Sequence, residues 1–234
     1  MSLINNVDAI IKSKKDIDDI GYFDSSISYD DSLKILDINW KTILSEPPKN
    51  SSVKTIKELK TISEATKNRT EQELDLVYIV DKEPLELFYK YLAGKKLKFP
   101  KSKFFTYYNQ VEPYMYVLKY YFNRARPEQL APHHDVDINV LYTETHHTPA
   151  YPSGHTMYAE LANLMLSEIY PEHSKQFDKL SEYCGLARIL QGVHYPSDND
   201  ASKIAISKLY PLIKEKVNER ERTQKNPLDG FSET

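Results

Sequence analysis

Three features of the sequence predict an all-α fold. Glycine is scarce, six residues in 234. Few stretches alternate apolar and polar side chains. Apolar residues recur instead three and four apart, the spacing of a helix with one buried stripe. Leu3, Val7, Ile10 and Ile11 set a short amphipathic helix, and a Ser/Asp-rich loop follows from Asp18 to Asp31. Leu33, Leu36, Trp40, Ile43 and Leu44 set the next, with Trp40 as its anchor. Pro47-Pro48 ends it, because proline lacks an amide donor and crowds the preceding turn. Beyond a short linker, a helical pattern spans Val53 to Lys67. Thr70 and Glu73 carry a capping-box signature for another helix, interrupted by Pro84 and resumed through Leu85, Phe88 and Leu92 to a C-cap at Gly94. Lys95 to Lys103 reads as a basic, solvated loop.

A long helix is expected from Phe104, with Val111, Met115, Leu118 and Phe122 on one face. Lys119 and Arg126 lie seven apart, two helical turns, and share a face if the helix persists. Pro127 disfavours helix at Arg126, so the chain is expected to turn there and leave Arg126 beside a cleft. Glu128 to Ala150 is a Pro- and His-rich loop; segments of this kind often carry function. Its His133-His134 and His146-His147 pairs match no metal-ligand spacing, so no metal is expected. Pro152-Ser153-Gly154-His155 precedes a clear helical pattern through Tyr158, Leu161, Met165 and Ile169, ended by Pro171. That places the tetrapeptide at a helix N-terminus, where free N–H groups favour an anion and Gly154 lets it come close. Phe177, Leu180, Cys184 and Ala187 mark the next helix, with Arg188 near its end. Asp198 begins another through Leu209, and Pro211 is expected to start a last one. The polar tail from Arg220 to Thr234 is expected to be disordered. The chain thus reads as one domain over 51–219, with residues 1–50 as an extension packed on it and 220–234 as a tail.

The formal charge of −3 argues against a nucleic-acid partner, which usually demands a basic excess. The single cysteine, Cys184, permits no intrachain disulfide and suits core packing. No run approaches the roughly 20 apolar residues of a membrane span. Asp8, Lys12, Lys14, Lys15 and Asp16 break up the N-terminus, so no signal peptide is expected there. A homo-oligomer is left open.

Chemistry concentrates in three clusters: Lys119 with Arg126-Pro127; Pro152-Ser153-Gly154-His155; and Arg188, His194 and Asp198. Taken singly, each residue has a plainer role as a surface charge, a cap or a turn. Together they supply three cations, two imidazoles and a carboxylate, an inventory suited to holding a phosphate-like oxyanion and attacking it with a histidine.

In order and spacing these clusters resemble the signature of the type-2 phosphatidic acid phosphatase superfamily: Lys-x6-Arg-Pro, Pro-Ser-Gly-His, and Ser-Arg-x5-His-x3-Asp. One position departs, Ala187 standing where the family has a serine, which removes one hydroxyl contact. Arg69-Thr70-Glu71-Gln72, Tyr151 and Ser197-Asp198-Asn199-Asp200-Ala201 make the chain most similar to the soluble bacterial class A non-specific acid phosphatases. The resemblance runs from about Ser51 to Ile213 and is strongest from Lys119 onward. It implies a helical bundle of the acid phosphatase/vanadium haloperoxidase type and metal-independent hydrolysis of small phosphomonoesters. His194 is expected as nucleophile, Asp198 as its orienting acid and His155 as proton donor, with Lys119, Arg126, Arg188, Ser153 and Gly154 binding phosphate. No cofactor is implied; vanadate is expected as an inhibitor, or as the cofactor if the chain is instead a haloperoxidase. A lipid phosphate phosphatase is a closer variant. The resemblance also implies a periplasmic or secreted protein if a leader has been removed, and otherwise a cytoplasmic one. Specificity is expected from the loops at Lys95 to Lys103 and Glu128 to Ala150.

Overall fold

The structure is a computed structural model that describes residues 17–23 and 39–225. Among these residues it is all-α, with eight α-helices and a few 3-10 turns. The helix expected over Leu3 to Ile11 lies outside the described residues, as do Leu33, Leu36 and the tail beyond Lys225.

Helix α1 spans Val53–Lys67, capped by the Ser52 side chain on the Thr55 amide. Helix α2, Glu71–Lys82, starts in the capping box read from Thr70 and Glu73, both halves of which are formed. Pro84 separates it from α3, Glu86–Gly94. Helix α4, Lys101–Phe122, begins three residues before the expected Phe104 and ends at Asn123, whose φ of 44° is left-handed. The chain thus leaves the helix three residues before the turn expected at Arg126, and Lys119 and Arg126 do not share a helix. Arg126 is instead the extended cap of a one-turn helix, α5, Pro127–Leu130. Helix α6 is Gly154–Ile169 and α7 is Ser174–Gln191, ended by Gly192 at φ 86°, a conformation that glycine adopts without strain.

The last element, α8, is one helix, Pro196–Lys225, with Pro211 inside it. The sequence reading had Pro211 begin a separate helix. Apolar residues on both sides of it, Leu209, Tyr210, Ile213 and Val217, are buried in one cluster, and that packing outweighs the hydrogen bond the proline removes. The helix also runs past Arg220, where a disordered tail was expected to begin, to Lys225. Helix-favouring Glu, Arg and Lys dominate this stretch, and Lys216 and Glu219 form an i,i+3 ion pair.

Helix α6 lies at the centre. Its contacts with α7 and α8 are the most extensive in the fold, and α4 packs on it as well. Leu161, Ala162, Met165 and Leu166 are wholly buried there. Each such leucine contributes about 1.5–3 kcal/mol by leaving water. Polar ties fix the same contacts: Ser181 donates to Glu160 at 2.6 Å, and Asn163 to Asp178 at 2.9 Å. Cys184 is buried in this cluster. A smaller cluster of Leu59, Ile62, Leu130, Ala131, Ala150 and Tyr195 joins α1 to the loops.

The described part of the N-terminal extension lies on this body. Tyr22 donates its amide to the Asn123 carbonyl at 2.9 Å. Asn50 donates to the Ile17 and Ile20 carbonyls at 2.8 and 2.7 Å. Ile43 and Leu44 are buried in the main cluster.

The capping box gives a direct test of the local reading. Thr70→Ala leaves the Glu73 amide without its acceptor and should lower the unfolding free energy by about 1 kcal/mol in urea titration. An unchanged midpoint would mean that the cap contributes nothing to α2.

Candidate active site

Three segments that are distant in sequence meet at one cavity of about 460 Å³. Lys119 reaches it from the last turn of α4, Arg126 from the extended turn after it, Gly154 and His155 from the first turn of α6, and His194 from the turn before α8. Asp198, Arg188 and Ser153 are completely buried and do not line the cavity. Asp198 is bonded to His194. Arg188 is held by Asp81 and Thr145, which do line it. Ser153 is the N-cap of α6.

His194 is oriented from both sides. Its Nδ1 lies 3.0 Å from Asp198 Oδ2, and its Nε2 lies 2.9 Å from Arg126 Nη1. Guanidinium nitrogen only donates, so Nε2 must be the acceptor and Nδ1 must carry the proton, donated to Asp198. The imidazole therefore presents its lone pair on Nε2, toward the side where Arg126 lies. Spacing explains the acid's place: Asp198 sits in the first turn of α8, four residues after His194, and its Oδ2 also accepts the Tyr195 amide at 2.9 Å.

The cations are stripped of water and tied to acceptors. Lys119 donates to the Pro149 carbonyl at 2.7 Å. Arg126 donates to the Thr148 and Val193 carbonyls at 2.9 and 2.7 Å. Arg188 donates to Asp81 at 2.7 Å and to Gln191 at 2.5 Å, and its buried Nε has no partner. Burial and the neighbouring Arg126 hold Lys119 well below an ordinary lysine. Burial and Arg188 push Arg126 down to about 10.

The same forces act on the imidazoles. Burial holds His194 well below the usual histidine range, and Arg126, Lys119 and Arg188 push it further. Burial and Arg188 do the same to His155, partly opposed by Asp81. Burial raises the Asp198 carboxyl against the pull of Arg124. The site is a buried well where Lys119, Arg126 and Arg188 crowd two imidazoles that are pushed toward their neutral form, with Asp81, Glu83 and Glu144 also in its lining; an anion entering beside Lys119 and Arg126 relieves the repulsion between them.

Gly154 allows a close approach that a larger residue would gain only by displacing the Met115 side chain. A Cβ there would meet Met115 Sδ at 2.8 Å, so the first turn of α6 sits tightly against α4 beside Lys119. Ala187, where the signature that the chain resembles has a serine, is buried in the apolar cluster. The Lys95 to Lys103 loop does not reach the cavity, whereas the long loop contributes Glu144, Thr145, His147 and Thr148. Among the described residues no His, Cys, Asp and Glu groups gather to hold a metal. His133 is exposed, and His134 is bonded to the Asn50 carbonyl at 2.9 Å.

Sequence reasoning missed Asp81, Glu58 and Arg124. Asp81 and Glu58 stand in ordinary helix patterns with no motif. Arg124 left one trace: in extended backbone residues two apart share a face, so Arg124 belongs beside Arg126. Tyr108, Tyr116 and Tyr158 give the cavity an aromatic side.

Residues 105–206 match the family model described as the PAP2 superfamily. The non-specific acid phosphatase of Salmonella typhimurium is 36% identical over 88 residues, covering 36% of this chain and 34% of that protein. That of Providencia stuartii is 41% identical over 58 residues, 25% of this chain and 23% of that protein. The matched region thus spans about a third or less of the length of these relatives.

The depressed imidazoles carry a stability signature. The unfolded chain binds protons on them near the ordinary pKa of about 6.5, while the folded chain resists until lower pH, so stability falls as pH drops below about 6.5. In anion-free buffer the melting temperature should fall from neutral to mildly acidic pH, and His155→Gln should flatten that slope. The comparison isolates this imidazole from Asp198 and Glu128, whose raised carboxyls act the other way. An equal slope in the variant would show that His155 is not held neutral.

Proposed function

We propose that this chain, whose residues 105–206 match the PAP2 superfamily model, is a phosphoric monoester hydrolase, an acid phosphatase working through a phosphohistidine without a metal. The observation that carries the reading is the polarised His194. One nitrogen is tied to Asp198, and the other faces Arg126 at the cavity that Lys119 and His155 share.

Phosphoryl transfer needs an in-line nucleophile and neutralised equatorial oxygens. In this reading Lys119 and Arg126 receive the phosphoryl group, with Arg188 adding its charge from behind and the first amides of α6 donating to the oxygens. These fixed cations do the work of charge neutralisation that a divalent ion does elsewhere. The Nε2 lone pair of His194 forms the N–P bond while the P–O bond to the leaving group breaks. His155 gives its proton to the departing oxygen, then takes one from the water that cleaves the N–P bond and releases phosphate. Asp198 keeps the Nδ1 proton in place throughout and offsets the positive charge on the imidazole ring.

An acid optimum follows from the depressed His155. In the free site it is protonated only at low pH; a bound dianion raises its affinity for a proton. The substrate class is a small monoester, and the similar acid phosphatases are non-specific in name.

A panel of monoesters tests the roles, each run with and without vanadate. His194→Ala should abolish phosphate release from every ester. His155→Ala should slow poor leaving groups such as alkyl phosphates by about 10²–10⁴-fold and p-nitrophenyl phosphate much less. Vanadate should block the wild-type chain. Equal losses across leaving groups would remove His155 as the acid, near-normal turnover by His194→Ala would remove the nucleophile, and vanadate-dependent bromide oxidation would replace the reading.

A further inference from the structure

Asp198 has a second partner besides His194, and that partner has a counter-charge of its own. Arg124 leaves the chain just after the left-handed turn at Asn123 and is fully buried. Its Nη1 donates to Asp198 Oδ1 at 2.6 Å and to Ser197 Oγ at 2.8 Å. Its Nη2 donates to Glu58 Oε2 at 3.3 Å, and its guanidinium lies 3.9 Å from the centroid of the Tyr195 ring. Glu58, from the middle of α1, also accepts the Ser197 amide at 2.9 Å and the Ser197 hydroxyl at 2.8 Å.

Charge therefore alternates along one buried line, Glu58, Arg124 and Asp198, which ends on the neutral ring of His194. Arg124 takes one oxygen of Asp198 and leaves the other for His194 and the Tyr195 amide. A lone carboxylate at this depth would tend to take up a proton or turn toward another donor. A single arginine there would be as costly without Glu58.

We propose that Arg124 is a positioning residue for phosphoryl transfer, holding Asp198 as an oriented carboxylate on His194 Nδ1, with Glu58 as the counter-charge that keeps Arg124 in place. The proposal rests on His194 being the nucleophile. Arg124 does not line the cavity and so contributes through Asp198 rather than by binding substrate. The groups that act on Asp198 come from every side. They are Arg124 and Arg126 from the turns after α4, Lys119 from α4, Tyr151 from the segment before α6, and His194 and Tyr195 beside it. Glu58 reaches it through Arg124. Among these cations Arg124 gives the largest opposition to burial.

The test follows kcat and KM of the full chain on p-nitrophenyl phosphate across pH. Arg124→Met should lower kcat by about 10²-fold, the scale of a misplaced catalytic group, with KM little changed. The acid limb of kcat should move up by about one pH unit or more, because Asp198 then protonates more readily. Arg124→Lys should recover much of the rate by restoring the charge. Breaking a buried pair can unfold a protein, so the double variant Glu58→Gln, Arg124→Met removes both charges together. It should regain thermal stability over Arg124→Met while kcat stays low. A folded double variant with wild-type kcat and an unmoved acid limb would overturn the proposal while the phosphatase reading stood. A wild-type chain without turnover, or His194→Ala with normal turnover, would remove that reading and this proposal with it.

Discussion

Lys119, Arg126 and Arg188 are brought together out of water, and the rest of the structure answers to their mutual repulsion. Each is tied to fixed acceptors: the Pro149 carbonyl, the Thr148 and Val193 carbonyls, and Asp81 with Gln191. Only Asp81 among these acceptors carries a charge, and it is paired with Arg188, so Lys119 and Arg126 are tied to neutral carbonyls. The imidazoles inside the cavity are held uncharged, and an anion is the one kind of ligand that lowers the energy of all three cations together.

Such a well needs a rigid frame, because small displacements would let the cations relax toward solvent. Helix α6 provides its centre, packed on α4, α7 and α8. Asn199 ties three of these elements at the site itself. It donates to the Gly185 carbonyl at 2.9 Å and accepts from Thr156 at 2.8 Å. The first turn of α6, the middle of α7 and the start of α8 therefore hold a common geometry, and those are the elements beside His155, Arg188 and His194. The line from Glu58 through Arg124 extends the same logic to α1, which makes no direct approach to the cavity.

Much of this was legible in the residues. The periodicity located α1 to the residue, and Thr70 with Glu73 announced the start of α2. The clusters at Lys119, Ser153 and Arg188 lie near helix ends, where local signals are strong. What escaped was non-local. Pro211 reads as a start in one dimension and sits mid-helix in three, because burial on both sides decides. Asp81 and Glu58 look like any helical acid until folding brings arginines to them. Ser153 and Arg188 were expected to bind phosphate. Their side chains lie just behind the cavity in a cap and a buried ion pair, an arrangement set by tertiary packing that no spacing rule contains.

The central claim is that His194 itself carries the phosphoryl group. The most direct measurement is acid-sensitive labelling of His155→Ala with a phosphate ester whose leaving group needs no proton. That variant can form the N–P bond but lacks the base that clears it. The account predicts a base-stable, acid-labile phosphoryl group located by mass spectrometry on His194 and absent from the His155→Ala, His194→Ala chain. Turnover of the same ester with no label on His194, or with the label on another residue, would contradict it.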